Sequence, residues 1–229
     1  MAPTVVLLPG MDGTGDLFAP VVAALGPDVP TITVRYPNQP LDYAAHEEIA
    51  RAALPVGRPF ILLGESFSGP IAVSIAAGAP PGLLGYVLCC SFVTSPRPLL
   101  WVLLPFLALL PPRRVPASVA TYFLMGRFAS PELRQMHAET LRRVSARALV
   151  ARLDAIARVD ARSTLRHVGL PALYLRATED RLVPRSAATE FARLSSNARV
   201  VDIEGPHLLL QSRPAAAAHA IHEFVGQIA

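Results

Sequence analysis

The chain of 229 residues contains no lysine, so all 21 of its basic residues are arginine. Its pI of 9.6 and net charge of +4 sit in an arginine- and alanine-rich composition and are not read as a nucleic-acid footprint. None of the aromatic-plus-basic motifs of the common nucleic-acid modules occurs. There are two cysteines, Cys89 and Cys90, and they are adjacent. Neighbouring cysteines rarely bridge, so a disulfide framework is excluded and a pair of small buried thiols at a strand end is expected. No spacing of metal ligands stands out, and no metal or cofactor is expected. Long hydrophobic runs are also missing. The longest, Leu99 to Leu110, is 12 residues and holds Pro105, whereas a membrane span needs roughly 20. The N-terminus Met1-Ala2-Pro3-Thr4 has no basic start, and Val5 to Leu8 is too short for a secretory core. A cytoplasmic protein is the resulting expectation.

What is present is apolar: 52% of the residues are hydrophobic, enough for a sizeable core in one domain. Thr4 to Leu8, Thr31 to Arg35, Phe60 to Leu63 and Leu83 to Cys90 read as strands, with helices from about Leu17 to Leu25, from Tyr43 to about Ala53, and from Pro70 to Ala77. Asp16 and Asp42 are candidate caps for the first two helices. The alternation predicts a parallel α/β sheet. Between about Ser95 and Arg166 the strands stop and prolines and helical stretches take over. Ala172 to Ala177 and Arg199 to Ile203 resume them, with helices from Arg185 to Leu194 and from Pro214 to about Ile228. The expected architecture is a mostly parallel sheet of about six strands flanked by helices. A helical cap spanning 95–166 is inserted between core segments 1–94 and 167–229.

Chemistry is concentrated in Gly64-Glu65-Ser66-Phe67-Ser68-Gly69, between the third strand and its helix. We read it as the G-x-S-x-G turn that exposes a nucleophilic serine at a strained strand-to-helix corner. Ser66 needs a base, and the base an orienting acid. Asp180 and His207 follow in chain order, each in a loop after a late strand, and the C-terminal strand ends of an open parallel sheet share one edge. The other five histidines fall in helices or beside the middle segment. Glu179, Asp154, Asp160 and Asp202 are the rival acids. Pro9 to Gly15 packs three glycines into a loop whose spacing does not suit a dinucleotide. It is the expected source of one oxyanion donor, the Met11 N–H. The other is the N–H of Phe67.

These motifs resemble those of α/β-hydrolases, and the resemblance runs over nearly the whole chain. Pro9 to Gly15 and Gly64 to Gly69 are similar to plant phytyl ester synthases. The segment from Val159-Asp160 through Leu182-Val183-Pro184, with the cap before it, resembles pimeloyl-ACP methyl ester esterases. The resemblance implies nucleophile Ser66, acid Asp180, base His207 and oxyanion donors Met11 and Phe67. Many relatives carry His-Gly where this chain has Pro9-Gly10.

From Arg97 to Arg166 there are 12 arginines against four acids, a net +8, while the remainder carries −4. Arg143, Arg147, Asp154 and Arg158 are read along one helical face, and Leu149, Leu153 and Ile156 at helical spacing. Two readings of the basic face stand: steering of an acidic partner, which the resemblance would make an acyl carrier protein, or a solvated face. The apolar residues between Leu99 and Leu107 suggest an acyl site or a dimer or lipid contact. The expected activity is carboxylic ester hydrolysis through an acyl-enzyme, on a substrate with an apolar acyl chain. The alternatives are a thioesterase or acyl-ACP methyl ester esterase, an acyltransferase, and a non-catalytic binding member of the fold.

Overall fold

The computed structural model describes residues 2–96 and 117–228. The apolar run from Leu99 to Leu107 lies outside them. Among the described residues the strands are β1 (Thr4–Leu8), β2 (Thr31–Thr33), β3 (Phe60–Glu65), β4 (Leu83–Cys89), β5 (Ala172–Ala177) and β6 (Ala198–Ile203). They form one sheet in the order β2-β1-β3-β4-β5-β6, and every neighbouring pair is parallel.

The sheet is covered on both faces, which is why β1 and β3 read as unbroken apolar runs. Successive side chains of a strand point to opposite faces. Val6, Leu8 and Leu62 accordingly join one core with α2 (Tyr43–Ala52), α3 (Gly69–Ala77) and, later in the chain, α8 (Arg185–Leu194). Val5, Leu7, Ile61 and Leu63 join the other with α1 (Ala19–Leu25) and the last helix, α9 (Pro214–Ile228). All seven of these strand residues are fully buried, each contributing about 1.5–3 kcal/mol of apolar burial.

Between β4 and β5 the described elements are α4 (Ala117–Leu124), α5 (Pro131–Arg142), α6 (Ala146–Arg158) and the short α7 (Arg162–Leu165). An isolated bridge joins Thr94 to Asp160 across the base of this segment. Among the described residues no helix is long and apolar enough to cross a membrane.

Several local expectations change. Asp42 caps α2, accepting from the Ala45 N–H at 2.9 Å. Asp16 does not cap α1: it opens a 3-10 turn (Asp16–Phe18) without a side-chain cap, and its carboxylate pairs with Arg35 and Arg143 instead. Arg143 is the C-cap of α5 and Ser145 is the N-cap of α6. Arg143 therefore does not share a helical face with Arg147 and Arg158, because the chain breaks between them. Arg158 pairs with Asp154 one turn away. The buried face of α6 is Ala148, Arg152 and Ile156; Leu149 and Leu153 are only half-buried.

Candidate active site

β3 delivers Ser66 to the carboxyl edge of the sheet and the chain turns at once. Ser66 has φ of +47°, a left-handed conformation that stores on the order of 1–3 kcal/mol in a residue with a Cβ. The turn closes only because its flanks are bare. A Cβ on Gly64 would lie 2.7 Å from the Ser68 carbonyl oxygen, and one on Gly69 would run into the Ser91 side chain. The second glycine of the motif thus stands three residues after Ser66. The position two residues after it is Ser68, which corrects the G-x-S-x-G reading. Ser68 is fully buried. Its hydroxyl donates to the Pro9 carbonyl and lies 2.9 Å from the Tyr36 hydroxyl, tying the serine turn to the loop after β1. Ser91 Oγ donates to the Ser66 carbonyl at 2.5 Å.

The loops after β5 and β6 are bonded to each other. The Thr178 N–H donates to the Ile203 carbonyl and the Glu179 N–H to the Gly205 carbonyl, both at 3.0 Å. That pairing sets Asp180 beside His207. His207 Nδ1 is 2.8 Å from Asp180 Oδ2, and His207 Nε2 is 3.0 Å from Ser66 Oγ. The network requires the tautomer in which Nδ1–H donates to the carboxylate and Nε2 accepts from the serine hydroxyl. Asp180 Oδ1 also accepts from the Leu182 and Val183 N–H groups at 2.8 and 2.9 Å.

Electrostatics follow this geometry. Burial pushes the Asp180 carboxyl up, but the charge and hydrogen bond of His207 and the two backbone donors outweigh it and hold the group below the usual carboxylate range. Burial pushes His207 down, and Asp180, with a smaller push from Glu65, raises it above its ordinary value.

The rival residues are engaged elsewhere. Glu179 is held by Arg127, Asp202 by Arg176, Asp154 by Arg158 and Asp160 by Arg162. His167 bonds the Ser163 carbonyl, and His222 lies within hydrogen-bond distance of the Leu25 carbonyl. Asp12 closes its own loop, accepting from the Thr14 N–H and hydroxyl. Cys90 is buried beside the triad, and its sulfur could join Asp180 and His207 around an ion, with ligand atoms within 4.8 Å of one another. The Asp180 and His207 atoms are already bonded to each other, and burial pushes the thiol well up. The set therefore fits a hydrogen-bonded triad better than a metal centre.

Met11 sits in the turn closed by the Gly13 N–H on the Gly10 carbonyl at 3.0 Å. Phe67 lies in the first turn of a 3-10 helix (Ser66–Ser68), where N–H groups have no intrahelical acceptor. Tyr43 stacks on the Phe67 ring at 4.7 Å and donates to its carbonyl at 3.1 Å.

Two buried polar side chains border the site: Glu65, which the sequence places beside it as a loop or leaving-group acid, and Arg152, which it does not single out. Arg152 reaches the loop of Met11 from α6; its signal was an arginine in register with Ala148 and Ile156. Glu65 precedes Ser66, is buried and accepts from Gln211 Nε2 at 2.9 Å. Burial, with the charge of Asp12, pushes its carboxyl up to about 7 against the pull of Gln211, His207 and the Gly10 N–H. A raised carboxyl favours folding below its unfolded value and loses that contribution as pH rises through the folded one. Glu65→Gln is therefore expected to flatten the stability decline between about pH 4.5 and 7, by up to about 3 kcal/mol. Urea midpoints of wild type and variant at pH 5 and pH 8 measure the difference; equal slopes would show that Glu65 ionises freely.

A model of the "Alpha/beta hydrolase family" matches residues 5–220. No curated protein matches by sequence. Among solved structures, an enol-lactonase from Burkholderia xenovorans LB400 superposes with a TM-score of 0.85 at 19% identity, covering 99% of this chain and 92% of its own. A hydrolase from Pseudomonas aeruginosa PA01 gives 0.83 at 21%, covering 98% and 90%. An esterase from Exiguobacterium antarcticum gives 0.82 at 16%, covering 99% and 93%. At these identities the structural likeness is one of fold.

Proposed function

The chain belongs to the alpha/beta hydrolase family, and from that premise we propose that it is a serine hydrolase that cleaves carboxylic esters through an acyl-enzyme. The observation that carries the reading is the continuous chain Ser66 Oγ–His207–Asp180, with links of 3.0 and 2.8 Å. His207 Nε2 takes the hydroxyl proton as Ser66 Oγ attacks the ester carbonyl. Asp180 fixes the imidazole and stabilises its charged form. The Met11 and Phe67 N–H groups hold the tetrahedral oxyanion; one such donor is worth about 3 kcal/mol in the transition state. His207 returns the proton to the leaving alcohol. Water, deprotonated by His207, then attacks the acyl carbonyl, and collapse frees the acid and Ser66.

The substrate's acyl group is taken to be apolar because the residues that border His207 are apolar. Leu208, next to His207, packs with Met125 of the middle segment and Leu133 of α5, and its N–H donates to the Leu124 carbonyl. The arginines grouped for an acidic carrier protein lie on two helices, and Arg143 and Arg158 are ion-paired.

A panel of p-nitrophenyl esters from acetate to decanoate, with matched thioesters, tests the proposal. Turnover with a burst of p-nitrophenol and labelling by a fluorophosphonate are expected, with a preference for chains longer than acetate. No turnover, no burst and no labelling across the panel would overturn it.

A further inference from the structure

Arg152 is the largest fully buried side chain in the described structure. It comes from α6, between β4 and β5, and its guanidinium ends against the loop after β1. Nη1 donates to the Met11 and Asp12 carbonyls, both at 2.9 Å. Nη2 donates to the Pro37 carbonyl at 3.0 Å, and Nε to His46 Nε2 at 3.3 Å. No carboxylate bonds it among the described residues. Burying an arginine without an ion-pair partner costs several kcal/mol, so a purely space-filling role would be better met by leucine or methionine. What the guanidinium adds is a rigid planar fork of donors.

The loop is shaped to receive that fork. Gly13 has φ of +71°, and a Cβ there would lie 2.6 Å from Arg152 Nη1. The Gly10–Gly13 turn is thus clamped twice, by its own hydrogen bond and by Arg152 on the next two carbonyls. The contact continues to the second oxyanion residue. His46 Nδ1 bonds the Asp42 carbonyl at 2.5 Å, leaving Nε2 to accept from Arg152. The His46 ring packs edge-on against Phe67, with centroids 5.0 Å apart.

Given the ester-hydrolase reading on which this rests, we propose that Arg152 is a positioning residue, holding the Met11 N–H of the oxyanion hole in register from the segment between β4 and β5. That segment then does more than cover the substrate: it sets the geometry of a transition-state donor. Arg152 holds the carbonyl of the Met11–Asp12 peptide, the plane next to the Gly10–Met11 plane that carries the Met11 N–H. A loop that shifts when the fork is lost turns that donor, weakens its bond to the oxyanion and leaves ground-state binding alone.

Arg152→Met keeps the stem and removes every donor; Arg152→Lys keeps the charge and part of the bonding. Both are assayed for kcat and KM on p-nitrophenyl butyrate, for inhibition by butylboronic acid, which forms a tetrahedral adduct on serine, and by butyrate, which does not. In Arg152→Met, kcat is expected to fall about 10–100-fold with KM within about threefold. Boronate affinity should fall in parallel while butyrate inhibition stays, and Arg152→Lys should recover part of the loss. A folded Arg152→Met with kcat within about threefold of wild type, or with equal losses of boronate and butyrate affinity, overturns the proposal. If Arg152→Met does not fold, Arg152→Lys decides, and full kcat in it is the overturning result. A Ser66→Ala control separates the two readings. Activity that survives Ser66→Ala sinks the serine-hydrolase reading, whereas Ser66-dependent activity indifferent to Arg152 sinks only this one.

Discussion

Ser66→Ala is expected to lower kcat on a p-nitrophenyl ester by about 10⁴–10⁶-fold and to abolish fluorophosphonate labelling. The size follows from the geometry. Ser66 Oγ is the atom that His207 Nε2 contacts at 3.0 Å, and it stands on a strained turn with φ of +47°. On the proposed mechanism no acyl-enzyme forms without the hydroxyl, and only binding and the oxyanion donors remain to assist water. Removing the attacking hydroxyl leaves the fold intact: the Ser66 carbonyl keeps its bond from Ser91. The melting temperature should hold or rise, since alanine inherits the strain but loses no hydrogen bond that fixes the turn. Parallel loss of activity and melting temperature would instead mark Ser66 as structural.

The second large effect is expected from Asp180→Asn. The amide keeps the shape and can still accept from the Leu182 and Val183 N–H groups that Asp180 Oδ1 now engages. It presents an N–H₂ or a neutral oxygen to His207 Nδ1 in place of a carboxylate. An imidazole facing a donor places its proton on Nε2, the nitrogen that must accept from Ser66. A fall in kcat of about 10⁴-fold is therefore expected. The pH profile gives a second readout. On the proposed mechanism activity requires neutral His207, so it should rise as pH passes through the folded pKa of that residue. Burial lowers that pKa and Asp180 more than restores it, so loss of the carboxylate should move the acid limb to lower pH while the plateau collapses. An unshifted limb would mean that another group titrates there. Sign and size together distinguish an orienting acid from a carboxylate that merely holds its loop.

Much of this arrangement is legible in the sequence, for identifiable reasons. Fully buried strands admit almost nothing but Val, Ile, Leu and Phe, so β1 and β3 announced themselves. Residues at the ends of parallel strands must share an edge, so Ser66, Asp180 and His207 pointed to one place. Helix ends were legible where a cap was short-range, as at Asp42, and misread at Asp16, whose carboxylate is drawn to Arg35 and Arg143, 19 and 127 residues away. The single basic face expected in the middle segment does not form, because the chain breaks between α5 and α6 and separates Arg143 from Arg147 and Arg158. The pairing of Arg143 with Asp16, 127 residues away, leaves no local trace in the sequence.

The sequence by itself determined the sheet, its parallel order of elements and the serine turn, because these depend on periodicity, burial and steric limits acting over a few residues. The tertiary structure alone decided what surrounds that turn. Ser68 fills a place expected to be glycine because Pro9 and Tyr36 supply partners for its hydroxyl. Glu65 is held in the core by Gln211, 146 residues away. Arg152 meets the carbonyls of Met11 and Asp12 across 140 residues or more. A buried polar group is tolerated only when its donors and acceptors are satisfied, and in these three cases the partners lie on elements that only folding brings together.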